Sequence, residues 1–205
     1  TQGGNNNSYC QDNEISWVDW DGAAKHSDLI EFVASLSALR KAHPVFRRRR
    51  FFSGQAGGSG DGQRDIIWLA PSGTEMGPAE WSSWDAKALA VCVNGDAITE
   101  PGPRGERITD ADFVLLLNAH VDAVSFTVPA SFGSRRVGWE VLVDTAVAAS
   151  GDGDGPQEGA RGQVGGTIGW SSSELRLDVA PRSIVVLRGI SRLRADLNGK
   201  GLRKR

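Results

Sequence analysis

The first twenty residues, TQGGNNNSYCQDNEISWVDW, hold the densest group of side chains able to do chemistry. They comprise Asn5, Asn6, Asn7, Tyr9, Gln11, Asp12, Asn13 and Glu14, followed by Trp17 and Trp20. Glycine and asparagine tolerate positive φ and favour turns, so this stretch is predicted to be a loop. Such a loop either lines a ligand site or lies on the surface, held by its own hydrogen bonds. The residues alone leave both interpretations open.

Asp12 and Glu14 are the one pair of carboxylates that suggests catalysis. Glycoside hydrolysis uses two carboxyl groups about 5–5.5 Å apart for retention, or about 6.5–9.5 Å apart for inversion. The two groups must flank the reacting bond from opposite sides of a cleft, and near neighbours in sequence rarely do so. Acid and nucleophile roles for Asp12 and Glu14 are therefore not favoured.

Composition and motifs exclude several functional classes. The formal net charge of −2 favours neither nucleic acid nor a membrane surface as a partner, and no run of eighteen apolar residues is present. The histidines (His26, His43 and His120) lack metal-ligand spacing, and the glycine clusters match no nucleotide-binding motif, so neither a metal nor a cofactor is expected. Cys10 and Cys92 are predicted to be reduced thiols of a cytoplasmic protein.

One clear helix is predicted over residues 27–43, ended by Pro44. Ser27 or Asp28 is the expected N-cap. Its apolar stripe consists of Leu29, Val33, Leu36 and Leu39, widened by Ile30 and Phe32. One amphipathic helix cannot bury such a stripe alone. Its partner must be the domain that follows or something missing from this chain.

The chain from residue 65 onward has the pattern of an antiparallel β-sandwich. Seven strands are predicted, over residues 65–70, 88–93, 113–118, 123–128, 139–144, 174–179 and 183–188. The strands at 88–93 and 113–118 are apolar on both faces and are expected to be central. Trp68 and Trp139 lie on strands and are assigned to the core, whereas Trp17 and Trp20 remain candidates for stacking on sugars.

The remaining segments are predicted to be loops. Residues 53–62 are rich in glycine, and residues 94–110 are rich in proline and glycine. Weak order is expected over 150–166, and 191–205 is a basic tail expected to fray. The run of four arginines, residues 47–50, is either an anion-binding patch or a strand whose arginines pair with carboxylates. The slightly acidic chain favours the second.

The motifs of this chain closely resemble those of bacterial glycogen debranching enzymes of the isoamylase type, within the α-amylase superfamily. The resemblance is carried by TQGGNNNSYCQDNEISWVDWD, by Leu39-Arg40, His43-Pro44, Phe46-Arg47-Arg48 and Phe51-Phe52-Ser53-Gly54, and later by Asp65-Ile66-Ile67-Trp68-Leu69, Pro71-Ser72-Gly73-Thr74-Glu75-Met76, Leu115-Leu116-Leu117-Asn118-Ala119 and Val143-Asp144-Thr145-Ala146. The similarity covers about residues 1–188.

The resemblance implies a C-terminal fragment of an enzyme that hydrolyses α-1,6 branch linkages of glycogen or limit dextrin with retention. The catalytic carboxylates of the family would lie upstream of Thr1, so none is expected here and the fragment alone would be inactive. Residues 1–50 would be the last loop and helix of a catalytic (β/α)8 barrel, 51–190 a C-terminal antiparallel β-sandwich, and 191–205 a tail.

The same resemblance places the first loop near glucan, because active-site residues of such barrels lie on the loops that follow the strands. The residues expected to bind substrate are Asn5, Asn6, Asn7, Tyr9, Gln11 and Asp12. Amides suit sugar hydroxyls because each offers donors and an acceptor. The expected partners are an α-glucan and the missing barrel. Two alternatives remain, a stand-alone glycan-binding module and a structural domain that shields the barrel.

Overall fold

The computed structural model describes residues 4, 5, 7, 9, 11–55, 64–129, 132, 136–147, 167–169 and 174–191. The weak order expected over 150–166, the fraying expected beyond residue 191, and Asn6 and Cys10 lie outside these residues. The helices are α1 (Ser27–Ala42) and α2 (Pro78–Ser82), with 3₁₀ segments at Asp21–His26, Pro44–Arg47 and Gly95–Ala97. The strands are β1 (Ile66–Leu69), β2 (Ala88–Val93), β3 (Phe113–Asn118), β4 (Val124–Pro129), β5 (Arg136–Asp144), β6 (Thr167–Gly169), β7 (Glu174–Val179) and β8 (Ser183–Ser191).

The strands form two antiparallel sheets, as the sequence predicts for a sandwich. One sheet has six strands in the order β1-β2-β3-β8-β5-β6, and the other pairs β4 with β7. All seven predicted strands are present. The central positions of β2 and β3 are confirmed, because both faces of these strands are covered. Strand β6 and helix α2 escaped prediction because segments of three and five residues carry too short a pattern.

The inner core lies between the two sheets and follows the two-residue period of the strands. Phe126 and Val128 of β4 and Leu175 and Val179 of β7 face the inner side of the larger sheet. Trp139 of β5 is fully buried there and stacks on Phe132, with ring centroids 6.1 Å apart. The assignment of Trp139 to the core is therefore confirmed.

The assignment of Trp68 to the core is wrong, because this side chain is 39% exposed. Its neighbour Leu69 faces the inner core, so alternation along β1 directs Trp68 to the outer face of the sheet. Strand β1 is also at the edge of that sheet, and its one neighbour among the described strands is β2. Trp68 meets the ring of Trp81 edge-on at 5.7 Å.

Helix α1 packs on the outer face of the six-stranded sheet. Its contacts come from Phe32, Leu36 and Leu39, which lie at helical spacing against a second buried cluster. Of the two partners left open for this stripe, the domain that follows covers Phe32, Leu36 and Leu39. Val33, assigned to the same stripe, is half exposed, as is Ile30.

The two ends of α1 differ in how well the sequence predicts them. The helix ends at Ala42, before His43-Pro44, and the backbone N–H of His43 donates to the carbonyl of Leu39 at 3.1 Å. The predicted N-cap is wrong, because Ser27 is already helical and no side chain caps the start. The chain instead enters α1 directly from the 3₁₀ segment Asp21–His26.

Cys92 is a free thiol buried in the inner core. Burial, and secondarily the charge of Asp112, raises its pKa to about 12.

In a Cys10→Ser variant, Cys92 is expected to remain unmodified by a thiol reagent at pH 8 and to react fully in denaturant. The absorbance of the thiolate that the reagent releases measures the extent of modification in both conditions. Native-state modification as fast as that of the unfolded chain would contradict the burial.

Candidate functional site

Asn13 organises the N-terminal loop, and the local hydrogen bonds explain its shape. The Asn13 carbonyl accepts from the backbone N–H of Ser16 at 2.9 Å and of Trp17 at 3.1 Å. Its side-chain oxygen accepts from the N–H of Ile15 at 3.2 Å. This is the turn chemistry expected of asparagine, whose side chain bonds to the backbone two residues on.

The predicted substrate-binding residues lie on the surface of this loop. Tyr9 is 82% exposed, and Asn7, Gln11 and Asp12 are also exposed, while Asn5 is partly covered. The Asn5 side-chain amide donates to the carbonyl of Ile15 at 3.0 Å, which closes the loop. The structure thus brings the described members onto one loop.

Asp12 has a local partner in this loop. The indole N–H of Trp17 donates to its Oδ1 at 2.9 Å. Trp17 and Trp20 are both largely exposed, so the loop presents aromatic faces beside carboxylate and amide groups. Such a surface suits a ligand that has both an apolar face and hydroxyl groups.

A buried polar network anchors the end of α1 to the sheet. His43 Nδ1 lies 2.8 Å from Asp110 Oδ1, and Asp110 Oδ2 accepts from the N–H of Val45 at 3.1 Å. Arg188 Nη1 lies 3.4 Å from His43 Nε2, and Arg188 also pairs with Glu140. Arginine can only donate, so the contact requires Nε2 to accept and places the proton of a neutral His43 on Nδ1.

The arginine run is structural at Arg48. Its side chain is buried, donates to Asp65 at 3.2 Å and lies over the ring of Phe52 at 4.4 Å. Glu100 Oε1 accepts from the backbone N–H groups of Arg49 and Arg50. Pairing with carboxylates is therefore confirmed at Arg48. The predicted strand is wrong, because residues 44–47 form a 3₁₀ segment and 48–50 do not pair in a sheet.

Glu100 stays ionised despite its burial. Desolvation alone would raise its pKa, but the backbone N–H groups of Arg50 and Arg49, together with the charge of Arg48, leave the pKa lowered. The network of Arg48, Asp65 and Glu100 thus holds segment 48–54 against the sheet.

A second surface lies at the end of the sandwich around α2. A cleft of about 290 Å³ opens between α2, the start of β2 and the connection from β3 to β4. Trp84 lies between two of the lining residues, Ser83 and Asp85, and Trp81 follows a third, Glu80; both tryptophans are exposed. The sequence feature that could have indicated this surface is WSSW, residues 81–84, which places two tryptophans between two predicted strands.

Among the described residues, no group of three histidine, cysteine, aspartate or glutamate side chains is placed to hold a metal ion. His43 is committed to Asp110, and His120 lies 3.5 Å from Asp122. Within the described part of the chain, no helix is both long and apolar enough to cross a bilayer.

An antiparallel β-sandwich with helix α1 packed across the outer face of its larger sheet is the class of domain that the described residues define. The family model described as "Isoamylase, C-terminal" matches residues 65–188, and the chain belongs to this family. The resemblance seen in the sequence motifs is thereby confirmed.

The curated relatives include glycogen debranching enzymes and are much longer than this chain. The Glycogen operon protein GlgX homolog of Mycobacterium tuberculosis is 52% identical over 145 residues, which are 71% of this chain and 20% of the relative. The Glycogen debranching enzyme of Pectobacterium carotovorum is 31% identical over 129 residues (63% and 16%), and the Isoamylase of a Flavobacterium is 30% identical over 166 residues (81% and 20%). The chain therefore spans about a fifth or less of these relatives.

Proposed function

We propose that this chain is the C-terminal part of an enzyme that hydrolyses the α-1,6 branch linkages of glycogen and limit dextrin. The observation that carries the proposal is the family match over 65–188, joined to relatives named as glycogen debranching enzymes and isoamylase. The catalytic carboxylates would lie in a (β/α)8 barrel upstream of Thr1, and the protein would be cytoplasmic. The buried free thiol of Cys92 is compatible with that compartment.

The sandwich would support the barrel through partly exposed apolar side chains in two places, Ile30 and Val33 on α1 and Leu117 and Ile184 on β3 and β8. Leu117 and Ile184 pair across β3 and β8, and a groove of about 360 Å³ adjoins them. Ile30 and Val33 are half exposed on α1, and Ile184 is 38% exposed. Apolar side chains that stay exposed at these places favour coverage by another part of a protein.

The N-terminal loop would contribute to glucan binding through Asn5, Asn6, Asn7, Tyr9, Gln11 and Asp12. The exposure of Tyr9, and the amide and carboxylate groups around it, support this role. The bond from Trp17 to Asp12 would orient both side chains, so that the loop needs little reordering when it meets a sugar.

A chimera tests the proposed function. The matching 145-residue segment of the mycobacterial relative is replaced by that of this chain, because 52% identity preserves most contacts across a domain boundary. Hydrolysis of glycogen limit dextrin is measured as released reducing ends. The chimera is expected to stay within about tenfold of the intact relative, a loss of roughly 1.4 kcal/mol or less. The 205-residue chain alone is expected to release none.

Two outcomes would contradict the proposal. One is a chimera that unfolds at the same temperature as the intact relative yet hydrolyses no branched glucan. The other is an intact relative that itself does not act on branched glucan.

A further inference from the structure

Trp84 occupies the tip of a turn, where it contributes no packing. The carbonyl of Ser83 accepts from the N–H of Ala86 at 3.3 Å, which places Trp84 and Asp85 at the two central positions. Such positions usually take glycine, proline, asparagine or aspartate. Trp84 is instead 90% exposed and has no ring partner among the described residues. Keeping a large aromatic side chain in water there costs free energy that the fold of this chain does not recover.

Trp81 is a second exposed tryptophan in the same segment of the chain. It lies on α2 three residues before Trp84, is half exposed, and rests edge-on against Trp68 at 5.7 Å. The Glu80 side chain accepts from the backbone N–H of Gly77 at 2.9 Å, which fixes the start of α2. Trp81 is thus presented by α2, and Trp84 by the turn that follows it.

The cleft beside Trp84 combines an apolar wall with polar groups. Met76 and Val124 contribute apolar surface to the lining. The polar lining residues are Glu80, Ser83, Asp85, Lys87 and His120. At about 290 Å³, the cleft is close to the lower end, about 300 Å³, of the range typical of small-ligand sites.

The polar groups of this lining indicate a neutral ligand rich in hydroxyls. Glu80 and Asp85 accept hydrogen bonds, Lys87 donates them, and Ser83 and His120 can do either. Two carboxylates and one ammonium give no excess of positive charge, so phosphate and nucleic acid are not favoured. A pyranose ring has an apolar C–H face, which a flat indole can cover, and equatorial hydroxyls, which such a rim can bind.

We propose that Trp84 and the adjoining cleft form a glucan-binding surface of this domain, with Trp84 stacking on one glucose unit of an α-1,4-linked chain. The choice of an α-glucan rests on the proposed function, whereas the requirement for a neutral sugar follows from the lining. The surface belongs to the sandwich and is separate from the loop of Asn5 to Asp12. It would hold outer chains of a branched polymer to the enzyme, which raises the local concentration of branch points.

The test uses the 205-residue chain and measures retardation by glycogen in native gel electrophoresis, with maltoheptaose as the competitor. Trp84→Ala is expected to weaken the binding of glycogen by about tenfold, the effect typical of removing an aromatic anchor. Trp84→Phe keeps a flat ring and is expected to retain most of the affinity. Phe51→Ala is the matched control, because Phe51 is 99% exposed and lies on segment 48–54, and it is expected to bind like the unmodified chain.

The proposal is overturned if the unmodified chain is not retarded, or if Trp84→Ala is retarded as strongly as Phe51→Ala. Loss of binding in Trp84→Ala and in Trp84→Phe alike would also contradict stacking. Retardation that cellohexaose relieves as well as maltoheptaose does would contradict the choice of an α-glucan. Because no bond is cleaved in this assay, its result is independent of the debranching measured with the chimera.

Discussion

Replacing Trp139 by alanine is expected to lower the free energy of unfolding by about 3–5 kcal/mol, the range for truncating a large aromatic side chain in a core. Trp139 is fully buried between the two sheets and stacks on Phe132. The change removes the largest of the fully buried side chains and leaves a cavity that strands on both sides cannot close. Equilibrium urea unfolding, followed by far-UV circular dichroism, measures the effect.

Trp68→Ala is the matched control for this prediction. Trp68 is the same residue type, also lies on a strand, but is 39% exposed on the outer face of an edge strand. Its truncation is expected to cost about 1 kcal/mol or less. If Trp139→Ala does not fold, Trp139→Phe serves instead, with a smaller loss expected because an aromatic ring remains. Equal losses at positions 139 and 68 would contradict the arrangement of the sheets.

Asp65→Ala is expected to lower the free energy of unfolding by about 3–5 kcal/mol, because it removes the nearer carboxylate from the buried charge of Arg48 and leaves only Glu100, whose Oε2 lies 4.0 Å from Arg48 Nε. Both side chains are only 4% exposed. Asp65 also accepts from the backbone N–H groups of Ser53 and Gly54 at 2.9 Å each. Its loss would release segment 48–54 from the sheet. Urea unfolding measures the stability, and limited proteolysis reports on the released segment.

Glu75→Ala is the control for a salt bridge in water. Glu75 pairs with Arg64, which holds the pKa of this carboxyl below its usual value, but the side chain is half exposed. Such a pair contributes about 0–1 kcal/mol, so little loss is expected. The double variant Asp65→Ala/Arg48→Met removes both charges of the closest buried pair, while Glu100 keeps the backbone N–H groups of Arg49 and Arg50, so it is expected to be more stable than Asp65→Ala alone. A double variant no more stable than Asp65→Ala would show that the unpaired charge is not the cause.

The strands could be predicted from the sequence because their patterns are local. In β7, apolar residues alternate with polar ones at Leu175, Leu177 and Val179. A two-residue period of this kind indicates a strand with one buried face. The runs in β2 and β3 lack alternation, which correctly predicts strands covered on both sides. The end of α1 before His43-Pro44 is equally local, because proline restricts the residue before it.

The two tryptophans assigned to the core show the limit of this reasoning. Trp68 and Trp139 both lie in strands of mixed apolar character, and nothing local distinguishes them. The position of each strand in the sheet determines whether its tryptophan is buried, because β5 lies between β8 and β6 while β1 lies at an edge. Strand order depends on pairings between residues far apart in the chain, which periodicity does not encode.

Position on the surface is likewise a property of the fold. The substrate-binding roles of Asn5, Asn6, Asn7, Tyr9, Gln11 and Asp12 rest on resemblance and stay a prediction, although the described members do lie on one exposed loop. The cleft beside Trp84 joins residues 76–88 to His120 and Val124, which come together only through the connection from β3 to β4. The spacing of these residues in the sequence does not predict that they lie together.

The class of fold, the strands other than β6, the end of α1 and the family could be predicted from the sequence, because each follows from local patterns or contiguous motifs. Contacts within the folded domain fix which tryptophan is buried, which face of α1 meets the sheet, which carboxylates lie beside Arg48, and which polar groups meet in the cleft next to Trp84. These contacts join residues that are far apart in the chain, so they stabilise the protein only after the sheets have formed.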